Sequence, residues 1–125
     1  MDANLRILIA DDSDLMRMVM KGFFRNLLTL PVISETTNLP ETFQLLNQEK
    51  FDFLLLDINM PRGDSSPETV KNVHAIQPDL KVCMFTGNDK ITLEKQYSDA
   101  GAIAFIQKDE TMKTALEEAL KIAFG

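Results

Sequence analysis

Cysteine is almost missing from this chain. Cys83 is the only one, which excludes an internal disulfide and any metal site built from cysteines alone. It lies in an apolar stretch and reads as a buried small hydrophobe. Histidine is as scarce: His74 stands alone on a predicted helix, far in sequence from the polar groups described below, and no catalytic role is expected of it. Long hydrophobic runs are absent too, since no window approaches the length needed to span a bilayer. Met1-Asp2-Ala3-Asn4 lacks the basic start and apolar sequel of a secretory leader, so a cytoplasmic location is expected. Positive charge is in deficit. Thirteen Lys and Arg face nineteen Asp and Glu, a net charge of -6 at pH 7, which argues against direct nucleic-acid binding by a domain that would want a basic face. With 125 residues and no linker or low-complexity tract, the chain is expected to form one domain, residues 1–125, with a substantial core.

Short apolar runs that end abruptly in polar groups are what the chain does have. The most marked is Phe53-Leu54-Leu55-Leu56-Asp57-Ile58-Asn59-Met60-Pro61. Apolar on both faces, Phe53 to Leu56 read as a central strand of a parallel sheet covered on two sides. Asp57 stands where that strand leaves the sheet, the place where ligands bind in open α/β sheets. Four other runs behave alike. Residues 5–10 end in Asp11-Asp12; residues 32–37 are more polar, as suits a sheet edge; residues 80–85 end in Thr86-Gly87-Asn88; residues 102–107 end in Lys108.

A helix pattern follows each run. Ser13 or Asp14 caps the first, with Leu15, Val19, Phe23 and Leu27 at helical spacing and Met16, Met18 and Met20 as packing residues. Asn38 with Pro40 opens the second, and Ser66 with Pro67 the third. Asp89 caps the fourth, which Gly101 ends, and Asp109 caps the fifth, with Met112, Leu116, Ala119 and Leu120 inward. On the fourth helix, Leu93 and Tyr97 read equally as core or as a docking surface. Five strand-then-helix units with short connections predict an α/β fold, a parallel sheet with helices on both faces.

In such a sheet the strand ends share one rim, so Asp11, Asp12, Asp57, Thr86 and Lys108 converge. Two carboxylates about 4 Å apart in a partly buried site cost roughly 4 kcal/mol at an effective dielectric of about 20. Either one takes up a proton or a cation sits among them, and oxygen ligands on an accessible rim suit Mg²⁺. Lys108 offers a point charge to a phosphoryl oxygen. A carboxylate nucleophile, a divalent metal, a lysine and a hydroxyl together indicate phosphoryl chemistry, in which aspartate can form an acyl phosphate.

Asp11-Asp12, Asp57-Ile58-Asn59-Met60-Pro61, Thr86-Gly87 and Phe105 three residues before Lys108 give the chain its family likeness: over essentially its whole length it resembles the receiver domains of two-component response regulators. The resemblance implies a doubly wound, flavodoxin-like (βα)5 sandwich with strand order 2-1-3-4-5. It implies that Asp57 accepts a phosphoryl group from a sensor histidine kinase or a small donor such as acetyl phosphate. Asp12, Asp57 and the Asn59 carbonyl would bind Mg²⁺ directly, and Asp11 through a metal-bound water. Thr86 and Lys108 would contact phosphoryl oxygens, Gly87 would leave the pocket open, and Asn59 and Asn88 would flank it. On activation Thr86 would move toward the phosphate and Phe105 would turn inward, changing the surface of the fourth helix, fifth strand and fifth helix. The implied partners are the kinase, an effector domain or protein target, and a second copy in a phosphorylation-dependent homodimer; neither nucleic acid nor membrane is expected. Two departures stand out. Asp109 occupies the usual proline position, as in receivers attached to LuxR-type DNA-binding domains, and Gly63 and Ser65 replace the usual residues beside Asp64.

Readings from other classes fare less well. A phosphatase of the haloacid dehalogenase type needs an acid two residues after its nucleophile, where this chain has Asn59. A flavin-binding carrier would meet Asp11-Asp12 where its phosphate should sit. A phosphate-independent receiver-like module remains the alternative, against which the complete rim set argues.

Overall fold

The computed structural model describes residues 4–87 and 90–125. Five strands alternate with five helices: β1 Arg6–Ala10, α1 Asp14–Leu27, β2 Val32–Thr36, α2 Leu39–Gln48, β3 Phe53–Asp57, α3 Pro67–Ile76, β4 Lys81–Thr86, α4 Lys90–Asp99, β5 Ala104–Gln107 and α5 Met112–Phe124. The strands form one parallel sheet in the order β2-β1-β3-β4-β5. The expected fold class and strand order are therefore those of the structure.

Strand side chains alternate between faces, and the apolar runs divide accordingly into two cores. Leu8, Leu54, Leu56, Val82 and Met84 face one layer with Leu46, Val70, Val73 and Tyr97 from α2, α3 and α4. Ile7, Ile9, Phe53, Leu55, Cys83 and Phe85 face the other, with Met20 and Phe24 of α1 and Leu116, Ala119 and Leu120 of α5. β3 is buried at every position. It lies between β1 and β4, so no residue of it can be polar without a partner, and Asp57 is the exception that needs one.

Helix starts follow the cap signals. Ser13 Oγ accepts from Met16 N, and Asn38 Oδ1 from Glu41 N. Thr69 Oγ1 accepts from the Ser66 backbone at 2.9 Å. At α5 the outcome differs. Asp109 accepts from the backbone and hydroxyl of Thr111, which makes a two-residue turn, and Thr111 is the N-cap; a short acceptor next to such a turn satisfies it rather than the helix. Asp89, the expected cap of α4, lies outside the described residues.

On α1 the buried line is Met20, Phe24 and Leu28, while Leu15 is 61% and Met18 63% exposed. The expected stripe through Leu15 and Val19 is thus displaced by one residue, about 100° around the helix. The rings explain the choice: Phe24 meets Phe53 edge-on at 5.8 Å, a favoured aromatic geometry. Tyr97 is core, and Leu93 packs partly buried beside it. Among the described residues no helix is long and apolar enough to cross a membrane.

Candidate functional site

Strand ends position the site. Asp57 is the last residue of β3, opposite Phe85 of β4. Asp11 follows β1 and is held by its amide to the Thr36 carbonyl at 3.0 Å. Lys108 follows β5, with its amide on the Thr86 carbonyl at 2.8 Å. Asp11, Asp12 and Asp57 each bring a carboxylate oxygen to within 4.8 Å of the others. Asp11 and Asp57 are buried and Asp12 is exposed, so the three form an acidic cleft with its mouth at Asp12.

Lys108 reaches both buried carboxylates. Its Nζ is 2.9 Å from Asp11 Oδ2 and 3.4 Å from Asp57 Oδ2, and it lies 4.9 Å from the centre of the Phe85 ring, within cation–π range. Asp11 Oδ1 accepts from Ser13 N at 2.9 Å. Its Oδ2 is buried and makes no hydrogen bond, the lysine ammonium being near without hydrogen-bond geometry. Burial pushes the Asp57 carboxyl up to about 7; the Asp11 charge pushes the same way, and Lys108 opposes both. One lysine does not balance two buried carboxylates.

Hard oxygen donors with an incompletely satisfied buried oxygen fit a divalent cation of the Mg²⁺ or Ca²⁺ type. The Asp11, Asp12 and Asp57 side chains are the residues able to hold it. Asn59 is exposed at the rim two residues beyond Asp57, and Gly87 is open, since an added Cβ would meet nothing within 4 Å. Thr86 is buried at the end of β4. Phe105 is buried against Tyr97, with ring centres 5.8 Å apart. Asn88 lies outside the described residues. His74 is away from the cluster, with Nε2 at 2.9 Å from the Leu80 carbonyl.

Two residues with a part in this geometry were missed in the sequence. Ser65 is buried; its Oγ donates to the Asp57 carbonyl at 2.8 Å and its amide to the Ile58 carbonyl at 2.7 Å. The chain returns to make these bonds through Arg62 and Gly63, both at positive φ (66° and 121°). The available signal was general: the last carbonyls of a buried strand need donors, and a serine stood in the next loop. Arg17 is the other. Its guanidinium donates to the Asp11 carbonyl at 2.7 Å and to Glu35 at 2.9 Å, and also pairs with Asp14. The i,i+3 spacing of Asp14 and Arg17 was its only trace.

Comparison with known proteins places the chain in context. The profile of the response regulator receiver domain matches residues 7–121. The chemotaxis protein CheY-3 of Vibrio cholerae serotype O1 is 32% identical over 127 residues, covering 98% of this chain and 94% of that protein. The nitrate/nitrite response regulator protein homolog of Haemophilus influenzae is 30% identical over 125 residues, all of this chain but 60% of that protein. The chain spans little more than half of other transcriptional regulators it matches, 55% of one and 54% of another. A solved response regulator of Burkholderia pseudomallei, with a phosphorylated aspartic acid, calcium ion and citrate, superposes with a TM-score of 0.75 at 22% identity, over 97% of this chain and 66% of that one. At that identity the likeness is one of fold.

Proposed function

Since the chain belongs to the response regulator receiver domain family and is a two-component signalling receiver, we propose that Asp57 is its phosphoacceptor and that residues 1–125 act as one receiver unit. The observation that supports this best is the convergence of Asp11, Asp12 and Asp57 within 4.8 Å, with Lys108 between the two buried carboxylates.

The chemistry follows from those positions. An Asp57 oxygen attacks phosphorus of a kinase phosphohistidine, forming an O–P bond as the P–N bond breaks, and the imidazole leaves with the electron pair and takes a proton. Attack needs the ionised carboxylate, which Lys108 favours and burial opposes. Lys108, already 3.4 Å from Asp57 Oδ2, meets one of the incoming phosphoryl oxygens, and the Thr86 hydroxyl another. Asp11, Asp12, Asp57 and the Asn59 carbonyl would hold Mg²⁺, which when bound neutralises charge on the transferring group. Asn59 borders the acyl phosphate, and Gly87 leaves it room. Asn59 cannot deliver a proton as a phosphatase acid would, so we read the protein as a switch with slow self-dephosphorylation and no substrate turnover. Thr86 and Phe105 transmit the change to the face of α4, β5 and α5. A sensor histidine kinase in the cytoplasm is the proposed donor. The proposed readers are an effector domain, a protein target or a second phosphorylated copy, and Lys108-Asp109 tilts the reading toward a LuxR-type effector.

The deciding experiment incubates wild type and Asp57→Asn with Mg²⁺ and acetyl phosphate or beryllofluoride. With acetyl phosphate wild type alone gains the mass of one phosphoryl group, and with either reagent its amide spectrum shifts around residues 57–59 and 86–108. Absence of any Mg²⁺-dependent change in wild type would overturn the reading, and turnover of a free phosphate ester would replace it with an enzyme.

A further inference from the structure

The loop after Asp57 holds an arrangement that phosphoryl transfer does not itself demand. β3 leaves the sheet with two carbonyls, those of Asp57 and Ile58, and Ser65 supplies a donor to each. The carbonyl of Ser65 in turn accepts from the Tyr97 hydroxyl at 3.1 Å. Tyr97 belongs to α4, 32 residues further along the chain, and its ring rests on Phe105 of β5. Ser65 and Tyr97 are both buried, so water does not compete for these bonds, and leaving either group unmade is costly. The segment enclosed by Ser65 includes Asn59.

We propose that Ser65 and Tyr97 are positioning residues for the acceptor site. Tyr97 fixes Ser65, and Ser65 fixes the backbone of Asp57 and closes the loop that presents Asn59. α4 is thereby tied to the phosphoryl site by two hydrogen bonds in series, neither of which uses Lys108 or Thr86. The inference rests on the phosphoacceptor reading of Asp57. Linkage makes the tie reciprocal: whatever loosens it at Tyr97 weakens ligand binding at Asp57, and occupation of the site stiffens α4.

The test compares wild type, Tyr97→Phe, Ser65→Ala and the double variant. Tyr97→Phe removes one hydroxyl and keeps the ring on Phe105. Leu93→Ala, partly buried one turn before Tyr97 on the same helix and making none of these hydrogen bonds, serves as the control for general loosening of α4. Two affinities are read by titration, for Mg²⁺ alone and for beryllofluoride at saturating Mg²⁺, together with amide shifts of Ile58, Asn59 and Ser65 before any ligand is added. Loss of one buried hydrogen bond in the positioning set raises each Kd about threefold to tenfold in Ser65→Ala and about threefold in Tyr97→Phe, with the three loop amides shifted in both. The double variant loses less than the sum of the two single losses, because the Tyr97 hydroxyl and the Ser65 hydroxyl act on the backbone of one residue. Wild-type affinity in Tyr97→Phe, additive losses in the double variant, or an equal loss in Leu93→Ala would each overturn the proposal while leaving the phosphoacceptor reading intact. A wild type that binds neither Mg²⁺ nor beryllofluoride sinks that reading and the positioning role with it.

Discussion

Replacing Asp57 by asparagine should stabilise the metal-free protein, and the gain should grow with pH. The side chain is nearly isosteric, so packing under the strand end is kept while the charge is removed. The Asp57 carboxyl titrates at about 7 in the folded chain against an ordinary value of 3.8. Below about pH 4 both folded and unfolded chains hold the proton and nothing is lost. Between about 4 and 7 the folded chain keeps a proton that the unfolded chain has released, so stability falls as pH rises. Above 7 both forms are ionised and the full loss persists. About three pH units at 1.36 kcal/mol each give a ceiling of about 4 kcal/mol at pH 8, and the same linkage gives about 1–2 kcal/mol at pH 5. For a chain of this length that difference corresponds to a melting-temperature gap on the order of 10 °C at pH 8, narrowing to a few degrees at pH 5.

The assay is thermal unfolding of wild type and Asp57→Asn in chelator at pH 5 and pH 8, followed by addition of Mg²⁺. The cation binds the folded carboxylates and stabilises the folded chain by mass action, so it should raise wild type more than the variant and close the gap. A variant less stable than wild type at pH 8, or one with the same advantage at both pH values, would refute the charge-crowding explanation of the cleft.

Lys108→Met keeps length and leaves Asp11 buried without its ammonium. It should cost about 2 kcal/mol at pH 8 in chelator, below the usual penalty for breaking a buried pair because the lysine is partly exposed, and Mg²⁺ should restore part of it; equal melting temperatures with and without the substitution would show that the pair contributes nothing. Gly101→Ala forces a side chain onto a residue at φ 116° and places its Cβ 3.0 Å from His74 Nδ1, a loss of about 1–3 kcal/mol. Urea denaturation reads that loss, and adding His74→Ala should relieve only the steric share of it.

Architecture was legible because its signals are redundant. Leu54 and Leu56 face one core and Phe53 and Leu55 the other, so a run apolar at every position could only be a strand covered twice. The caps at Ser13 and Asn38 were legible because a short polar side chain ahead of an amphipathic run has few other uses. The inward line of α1 was not. Met16, Met20 and Phe24 compete with Leu15, Val19 and Phe23 on adjoining stripes of one helix, and only the position of the Phe53 ring decides between them. The rim was legible as a set, since parallel strands must end together. Its internal order was not. Asp11 and Asp12 are adjacent and chemically identical, yet one is sealed under Lys108 and the other is at the mouth, because successive side chains at a strand exit point apart. Ser65 was hidden for another reason: its reach back to Asp57 depends on Arg62 at positive φ, a conformation that arginine does not announce.

The charge balance of the cleft depends as much on where a second cation points as on Lys108. Arg17 bonds the carbonyl of Asp11, so its guanidinium lies beside the residue that most needs a counter-charge. Its remaining donors face Asp14 and Glu35, and Lys21 joins Glu35 from the other side at 3.0 Å. These ion pairs hold the Glu35 carboxyl below the usual range against the opposing effect of its burial, and they keep the guanidinium aligned with the β1–α1–β2 corner rather than with the carboxylate oxygens of the rim. Had Arg17 turned toward Asp11 Oδ2, a second fixed positive charge would have satisfied the buried oxygen that now lacks a hydrogen bond, and the affinity of the cleft for a divalent ion would fall with it. The corner therefore does two things with one side chain. It pins the backbone from which Asp11 and Asp12 project, and it leaves their side chains short of positive charge, a deficit that a metal ion and a transferred phosphoryl group together can use.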